Sequence, residues 1–187
     1  MIRQFAIGIL CLAAVAVAIW LVVPRDAGDP AGSTTAVAVE DPPGIPDDAF
    51  EMTVESVHDG DTLRAHVAKP NGVVTDAGST RVRLIGVDTP EIAPEPECWG
   101  TEATARLRAL LPPGSTVWGA PDREVLDRYD RHLLYLWTPD GLFVNAELVA
   151  QGDAAVLPVA PNTRHETLLR SLEAEASMAG RGQWGAC

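Results

Sequence analysis

Basic residues are scarce in this sequence, and that scarcity limits what the chain can bind. It has 14 lysines and arginines against 26 aspartates and glutamates, which gives a net charge of -12. Proteins that bind nucleic acid through a broad basic surface need the opposite balance, because neutralising phosphates supplies most of their affinity. Any binding of a polyanion must therefore depend on a local cluster of cations or on a bound metal ion.

Cysteine is also scarce, with three in the chain. Cys11 lies within an apolar run, and the leucine before it does not match the small residue of a lipoprotein cleavage site, so we interpret it as a membrane-embedded thiol. Cys98 and Cys187 lie in the remaining chain, where an oxidising compartment would allow a disulfide between them. Such a bridge closes a long loop and stabilises the fold by about 4–5 kcal/mol. Two separate thiols are the alternative interpretation.

An uncharged apolar run from Phe5 to Val23 lies near the N-terminus. At about 1.5 Å per residue in a helix, it just spans the roughly 30 Å hydrocarbon core of a bilayer. We therefore predict that residues 1–23 form a hydrophobic helix, either a signal peptide or a transmembrane anchor. Because Arg3 precedes the run, we expect a cytoplasmic N-terminus and an extracytoplasmic remainder, which is membrane-anchored, or secreted if the segment is cleaved.

The next segment, residues 24–49, is rich in Pro, Gly and Asp and contains no sustained hydrophobic period before its end. This composition predicts a disordered linker. Residues 50–187 are long enough for one domain with a core, and they show no internal repeat. One folded domain is therefore expected after the linker.

That domain alternates strand-like and helix-like segments. The runs EMTVESV and TLRAHVA flank the turn HDGD, in which Gly60 can take a positive φ, and TRVRLIGV follows as one further strand. WGTEATARLRALL has helical spacing and ends at PPG, and STVWGAP and HLLYLWT are strand-like. Two helices follow, one ending near Gly152 and one preceded by a capping box of Thr163 and Glu166. This order predicts an α+β fold, a five-stranded OB-type β-barrel with three helices.

Two acidic turns carry the first chemical signal. DGDT supplies Asp61, and VDTPE supplies Asp88, Thr89 and Glu91. If the barrel brings these turns together, the carboxylates and the Thr89 carbonyl form a site made only of oxygen ligands. Such a site suits a hard cation, calcium above all, and disfavours zinc.

Two arginines carry the second signal. Arg83 lies shortly before the second acidic turn, and Arg131 ends the stretch DRYDR just ahead of a strand. Two guanidinium groups beside a metal ion can hold a phosphodiester, and Glu91 can orient or deprotonate an attacking water. Together these residues predict metal-assisted hydrolysis of a phosphodiester bond.

The joint order of these motifs resembles the staphylococcal (micrococcal) nuclease family, the thermonucleases. The resemblance rests on HDGDTL, RLIGVDTPE, WGTEAT, DRYDR, LVAQGDA, PNTRHE and QW, and it spans residues 52–184. It implies an OB barrel and calcium-dependent cleavage of DNA and RNA at the 5′ P–O bond, which leaves 3′-phosphates.

The resemblance also assigns roles to individual positions. The catalytic residues it implies are Arg83, Glu91 and Arg131. The calcium ligands it implies are Asp61, Asp88 and Thr89. The residues that it places against the terminal phosphate of a bound nucleotide are Asp127, Arg128 and Tyr129. Nucleic acid is the only partner that follows, besides the membrane through an uncleaved N-terminal segment; no protein partner is predicted.

This chain departs from the family pattern in two places. Leu157 and Val159 stand where tyrosines pack on a bound base, and losing such stacking weakens binding by roughly 1–3 kcal/mol per base. The loop from Glu91 to Trp99 is also short. The alternative hypotheses are therefore a catalytically weak or lapsed module that binds nucleic acid or protein, and a surface domain stabilised by calcium.

Overall fold

The computed structural model describes residues 41–187. The predicted signal or anchor segment, Cys11 and most of the predicted linker lie outside the described residues. Within residues 41–187, no helix is both long enough and apolar enough to cross a membrane.

The described part contains seven strands and four helices. The strands are β1 (Phe50–Val57), β2 (Thr62–His66), β3 (Thr80–Leu84), β4 (Gly86–Asp88), β5 (Thr116–Ala120), β6 (His132–Trp137) and β7 (Ala155–Leu157). The helices are α1 (Gly100–Leu110), α2 (Val144–Ala150), α3 (Glu166–Met178) and α4 (Gln183–Ala186).

Five of the strands close into a barrel in the order β1-β2-β3-β6-β5. All neighbours are antiparallel except β3 and β6, which run parallel and pair Arg83 with Leu133. The predicted five-stranded barrel with three main helices is confirmed. The short helix α4 and a separate two-stranded sheet of β4 and β7 add to that prediction.

The prediction of one continuous strand through TRVRLIGV is wrong, because the chain breaks at Ile85. Val82 and Leu84 are buried as the alternation predicts, but Ile85 is buried as well. Gly86 follows with a φ of 77°, a conformation that favours glycine because it has no Cβ. The chain then leaves the barrel and pairs with β7 through Gly86 and Leu157.

The core fills the barrel and the space between it and the helices. Leu63, Val82 and Leu134 are fully buried in the barrel wall, and Leu107 of α1 and Leu148 of α2 are buried against them. The strands supply this core through alternate residues, while the other face carries polar side chains. The barrel is thus a rigid support for the residues at its strand ends.

An aromatic cluster lies where β6, α2 and the start of α3 meet. The Trp137 and Phe143 rings stack with centroids 4.6 Å apart, and the His165 ring meets the edge or face of Tyr135 at 4.6 Å. His165 is the N-cap of α3 and makes no side-chain capping bond. The predicted capping box of Thr163 and Glu166 is therefore wrong, because the packing of His165 on the aromatic rings sets the start of the helix.

Two other local predictions have clear outcomes. Gly152 follows α2 with a φ of 76°, as the predicted helix end requires. Cys98 and Cys187 form a disulfide with Cα atoms 6.0 Å apart, which joins the segment before α1 to the C-terminus.

Residues 41–49, the C-terminal end of the predicted linker, lie against the barrel without forming a strand or helix. The Trp137 indole N–H donates to the Pro43 carbonyl at 2.8 Å. Ile45 and Ala49 pack against the core.

Candidate active site

Arg83 lies near the end of β3, and four oxygen atoms surround its guanidinium. Nε forms an ion pair with Asp61 at 3.1 Å, and Nη2 donates to Asp88 at 2.7 Å. Nη1 donates to the carbonyls of Leu84 at 2.9 Å and Val87 at 2.6 Å. These bonds fix the guanidinium plane, and the side chain is only 12% exposed.

Asp61 ends the turn between β1 and β2 and is buried. Its Oδ1 forms an ion pair with Arg83 and accepts from the Thr62 hydroxyl at 3.0 Å. Its Oδ2 accepts from the Thr89 backbone N–H at 3.0 Å and the Thr89 hydroxyl at 3.3 Å. One carboxylate therefore joins the two acidic turns that the sequence places far apart.

Burial raises the pKa of Asp61 to about 6, and the nearby charge of Asp59 adds to that rise. The positive charge of Arg83 and the hydrogen bonds from Thr89 and Thr62 act in the opposite direction. A carboxylate with a raised pKa indicates a site where an additional positive charge would be stabilising.

Gly60 allows the two acidic turns to touch. Its φ is not among the positive values of the described glycines, so the left-handed conformation that glycine allows is not used here. Glycine is needed because a Cβ would lie 2.6 Å from the Thr89 hydroxyl oxygen and 2.8 Å from its Cβ. The close approach of Thr89 thus excludes any side chain at this position.

Glu91 lies in the loop after β4 and is exposed. Partial burial and then the negative charges of Asp59, Asp88 and Glu97 raise its pKa, while Arg83 lowers it. The structure thus brings Glu91 into the same electrostatic environment as Arg83 and Asp88. Its neighbours Asp59 and Glu97 were not among the predicted site residues, although Asp59 belongs to the same DGD turn as Asp61.

Arg131 lies immediately before β6, at the end of a turn organised by Asp127. The Asp127 carboxylate accepts from Arg131 Nε at 2.7 Å, from the Arg131 backbone N–H at 2.9 Å and from the Tyr129 N–H at 2.8 Å. Burial alone would raise the pKa of Asp127, but these hydrogen bonds outweigh it and the pKa is lowered. Asp127 therefore stays charged and holds Arg131 in place.

The two arginines line one open cavity of about 450 Å³. Asp127, Arg128 and Tyr129 form part of its wall, and Arg128 lies over the Tyr129 ring at 4.7 Å from the centroid. The remaining lining is largely apolar and comes from β3, β4, β6 and the segment after α2, including Leu84, Ile85, Val87, Leu133, Leu157 and Val159.

The cavity separates the predicted residues into two groups. Arg83, Arg131 and the three residues of the substrate turn line it, whereas Asp61, Asp88, Thr89 and Glu91 do not. Of these four, Asp61 and Asp88 contact Arg83, and Thr89 contacts Asp61. Glu124 and Asn162 also line the cavity and were not among the predicted site residues, although Asn162 belongs to the PNTRHE motif. The Asn162 amide bonds the backbone of Arg123 and Glu124 through both its oxygen and its nitrogen.

The predicted calcium ligands fit a hard cation by donor type. Asp61 and Asp88 are carboxylates that both contact Arg83. Thr89, whose backbone carbonyl is the predicted ligand, bonds Asp61 through its hydroxyl at 3.3 Å. Oxygen atoms of this kind are the ligands that calcium prefers. Among residues 41–187, no cluster of three or more His, Cys, Asp or Glu side chains has a metal-binding arrangement. The single positive charge of Arg83 pairs with both carboxylates and offsets one of their two negative charges.

Comparison with known proteins gives consistent matches over this region. Residues 81–186, more than half of the chain, match the family described as Staphylococcal nuclease homologue. A thermonuclease of Staphylococcus intermedius is 33% identical over 134 residues, which are 70% of this chain and 74% of that protein. An uncharacterized endonuclease of Escherichia coli O157:H7 is 33% identical over 131 residues, again 70% of this chain and 74% of its own.

A third relative is much longer. Endonuclease YhcR of Bacillus subtilis (strain 168) is 29% identical over 166 residues, which cover 83% of this chain but 13% of that protein. The matched family region contains Arg83, Glu91 and Arg131, whereas Asp61 lies before it.

Proposed function

The chain belongs to the staphylococcal nuclease homologue family, and from that premise we propose that it is a calcium-dependent nuclease that hydrolyses phosphodiester bonds of DNA and RNA. The observation that carries the proposal is the convergence of Arg83 and Arg131 on one cavity. Both are placed by neighbouring parallel strands, and both are held by carboxylates, so their positions are set before substrate arrives. Preorganised cations of this kind stabilise charge that develops on a phosphoryl group.

The arginines act as donors to the phosphate oxygens. Arg83 uses both Nη1 hydrogens on backbone carbonyls and one Nη2 hydrogen on Asp88, so the remaining Nη2 hydrogen is available to a phosphate. Arg131 uses Nε on Asp127, which leaves both terminal nitrogens for the substrate. The cavity thus offers guanidinium donors from two sides.

Glu91 acts on the attacking water, which it orients or deprotonates. Its raised pKa brings the carboxylate closer to the range in which a general base works best. The water oxygen forms a bond to phosphorus as the bond to the 5′ oxygen breaks, and the departing oxygen takes a proton. The products are a 3′-phosphate and a 5′-hydroxyl, whether cleavage is internal or from an end.

Asp61, Asp88 and Thr89 would hold the calcium ion. When bound, calcium supplies positive charge that offsets the charge of the phosphodiester and its transition state. Arg128 and Tyr129 would hold the terminal phosphate of the substrate beside Arg131, and Asp127 would contribute by positioning Arg131. Tyr129 is about half exposed, and Arg128 lies over its ring, so both can reach a ligand in the cavity.

We also propose that the folded domain works outside the cytoplasm, tethered to the membrane or secreted. The apolar N-terminal run supports this location, and so does the Cys98–Cys187 disulfide, a bond that persists mainly in oxidising compartments. Cell fractionation and N-terminal sequencing of the mature protein test the location and the fate of the first segment.

The nuclease proposal is tested by digestion of single-stranded DNA and RNA with the purified full-length chain. We expect cleavage in calcium, none in EDTA and none with Glu91→Gln. Glu95→Gln is the matched control, because Glu95 is an exposed carboxylate of the same loop and should be fully active. Cleavage that survives both chelation and Glu91→Gln would contradict the mechanism, and binding without cleavage would support a lapsed module.

A further inference from the structure

The loop that carries Glu91 is held by hydrogen bonds between its two ends. Glu91 is exposed and is surrounded by the like charges of Asp59, Asp88 and Glu97, which repel it. An exposed loop under such repulsion would not keep a side chain in a fixed place unless its backbone were held. The contacts that hold it come from the other end of the same loop.

Glu97 and Glu91 form a reciprocal pair of hydrogen bonds. The Glu91 backbone N–H donates to the Glu97 carboxylate at 3.0 Å, and the Glu97 backbone N–H donates to the Glu91 carbonyl at 2.8 Å. The Glu97 carboxylate thus accepts a hydrogen bond from the backbone of Glu91, and it does not line the cavity. Charge-assisted bonds of this type are stronger than bonds between neutral groups.

We propose that Glu97 is a positioning residue for Glu91 and that the Cys98–Cys187 disulfide keeps Glu97 in place. This inference rests on the proposed function, since it assigns a part to Glu97 in the same reaction. Glu97 would act only through the backbone of Glu91 and would not touch the substrate.

The start of α1 supports the same arrangement. Gly100 packs directly on the loop, since a Cβ there would lie 2.5 Å from the Glu91 carbonyl oxygen and 2.9 Å from that of Pro90. Its N–H also donates to the Glu97 carbonyl at 3.2 Å. The two ends of the loop are therefore packed together as well as hydrogen-bonded.

The residues between Glu97 and α1 are tied to the rest of the domain. The Trp99 indole donates to the buried Asp153 at 2.9 Å, and Cys98 is bonded to Cys187. Cys187 is held in turn, because the segment before it bonds the end of α2 through Gln183 N–H and the Gly152 carbonyl at 3.0 Å. Because Cys98 is the residue next to Glu97, the disulfide holds this end of the loop against the C-terminus.

The first test compares Glu97→Ala, Glu97→Gln and the control Glu95→Ala in the purified full-length chain. We expect Glu97→Ala to lower kcat about tenfold and to leave KM within about a factor of two, because misplacement affects the chemical step rather than binding. Glu97→Gln keeps an oxygen acceptor and should restore most of kcat. An equal loss in the alanine and glutamine variants, or none in either, would overturn the inference.

The second test uses the double variant Cys98→Ser/Cys187→Ser, in which neither cysteine can pair wrongly with Cys11. We expect a fall in kcat similar to that of Glu97→Ala, with KM nearly unchanged. Adding Glu97→Ala to the double variant should lower kcat by less than about twofold further, because both changes act on one position. Fully additive losses, or a normal kcat in the folded double variant, would contradict the role of the disulfide.

These outcomes separate this inference from the proposed function. If the wild-type chain cleaves nucleic acid and Glu91→Gln does not, the proposed function stands whatever Glu97 does. A wild-type chain without cleavage in calcium would refute both.

Discussion

The Nε atom of Arg83 lies 3.1 Å from the carboxylate of Asp61, and both side chains are nearly buried. This ion pair joins β3 to the turn between β1 and β2, so a residue with a proposed catalytic role also holds two parts of the barrel together. Removing one member of a buried pair leaves the other charge without compensation. Changes at this contact should therefore affect stability as well as activity.

Arg83→Lys is expected to impair both properties. Lysine cannot reproduce the three hydrogen bonds and the ion pair with Asp61 that the guanidinium makes. We therefore expect kcat to fall at least about 100-fold and the free energy of unfolding to fall by about 1–3 kcal/mol. DNA digestion and urea denaturation measure the two effects. Arg64→Lys on the exposed side of β2 is the control, and a similar loss there would show that the effect is not specific to the site.

Gly60→Ala should destabilise the contact between the acidic turns. The new Cβ would collide with the Thr89 side chain, which bonds Asp61, so we expect the free energy of unfolding to fall by about 1–3 kcal/mol. Gly72→Ala is the matched control, because nothing lies within 4 Å of a Cβ at that position. Equal urea midpoints for the two variants would contradict the steric argument.

His165 should make stability depend on pH. Burial in the aromatic cluster and then the charge of Arg164 lower its pKa below 6.5, while Asp122 opposes the shift. As pH falls through 6.5, His165 therefore binds protons in the unfolded chain before it does so in the folded chain. The contribution of His165 to stability decreases over this range, until pH passes below the lowered pKa of the folded state. At higher pH the contribution is fully present.

The effect can be isolated with His165→Phe, which keeps an aromatic ring and cannot titrate. The free energy of unfolding of both proteins is measured in urea at about pH 7.5 and about pH 5.5. The difference between the two proteins cancels the contributions of other titrating groups. We expect the wild type to lose more stability than the variant over this interval. An equal or smaller loss in the wild type would show that the His165 pKa is not lowered.

Val159→Tyr should tighten substrate binding. Val159 lines the cavity and is 60% exposed, so a larger ring can be accommodated and can stack on a base. Stacking is worth about 1–3 kcal/mol per base, so we expect KM for single-stranded DNA to fall about fivefold or more with kcat nearly unchanged. Met178→Tyr, at an exposed position on α3 outside the cavity, serves as the control.

Much of the barrel could be predicted because its signals are local. The alternation of side chains and the HDGD turn are sufficient to predict the β1–β2 hairpin. The proline after Leu111 is sufficient to predict the end of α1. The break at Ile85 could not be predicted in this way, since an apolar residue follows Leu84 whether the strand continues or bends. Its cause is tertiary, for Gly86 pairs with Leu157 and packs near Leu169.

The candidate site shows the same division. The acidic turns and the arginines stand out in the sequence because such residues are rarely grouped at strand ends. The contacts of Arg83 with Asp61 and of Glu97 with Glu91 depend on the closed fold, and the sequence contains no periodic signal for them. The role of Gly60 was missed for a related reason, since the residue that packs on it, Thr89, belongs to another turn.

The parallel pairing of β3 with β6 determines when the candidate site forms during folding. Parallel neighbours require a long crossover, and here α1 and β5 lie between them, so this pairing is among the contacts of high sequence separation. Arg83 and Arg131 face one cavity only when that pairing exists. A newly made chain therefore has no assembled candidate site before its barrel closes, so the proposed nuclease would have no complete site until folding is finished.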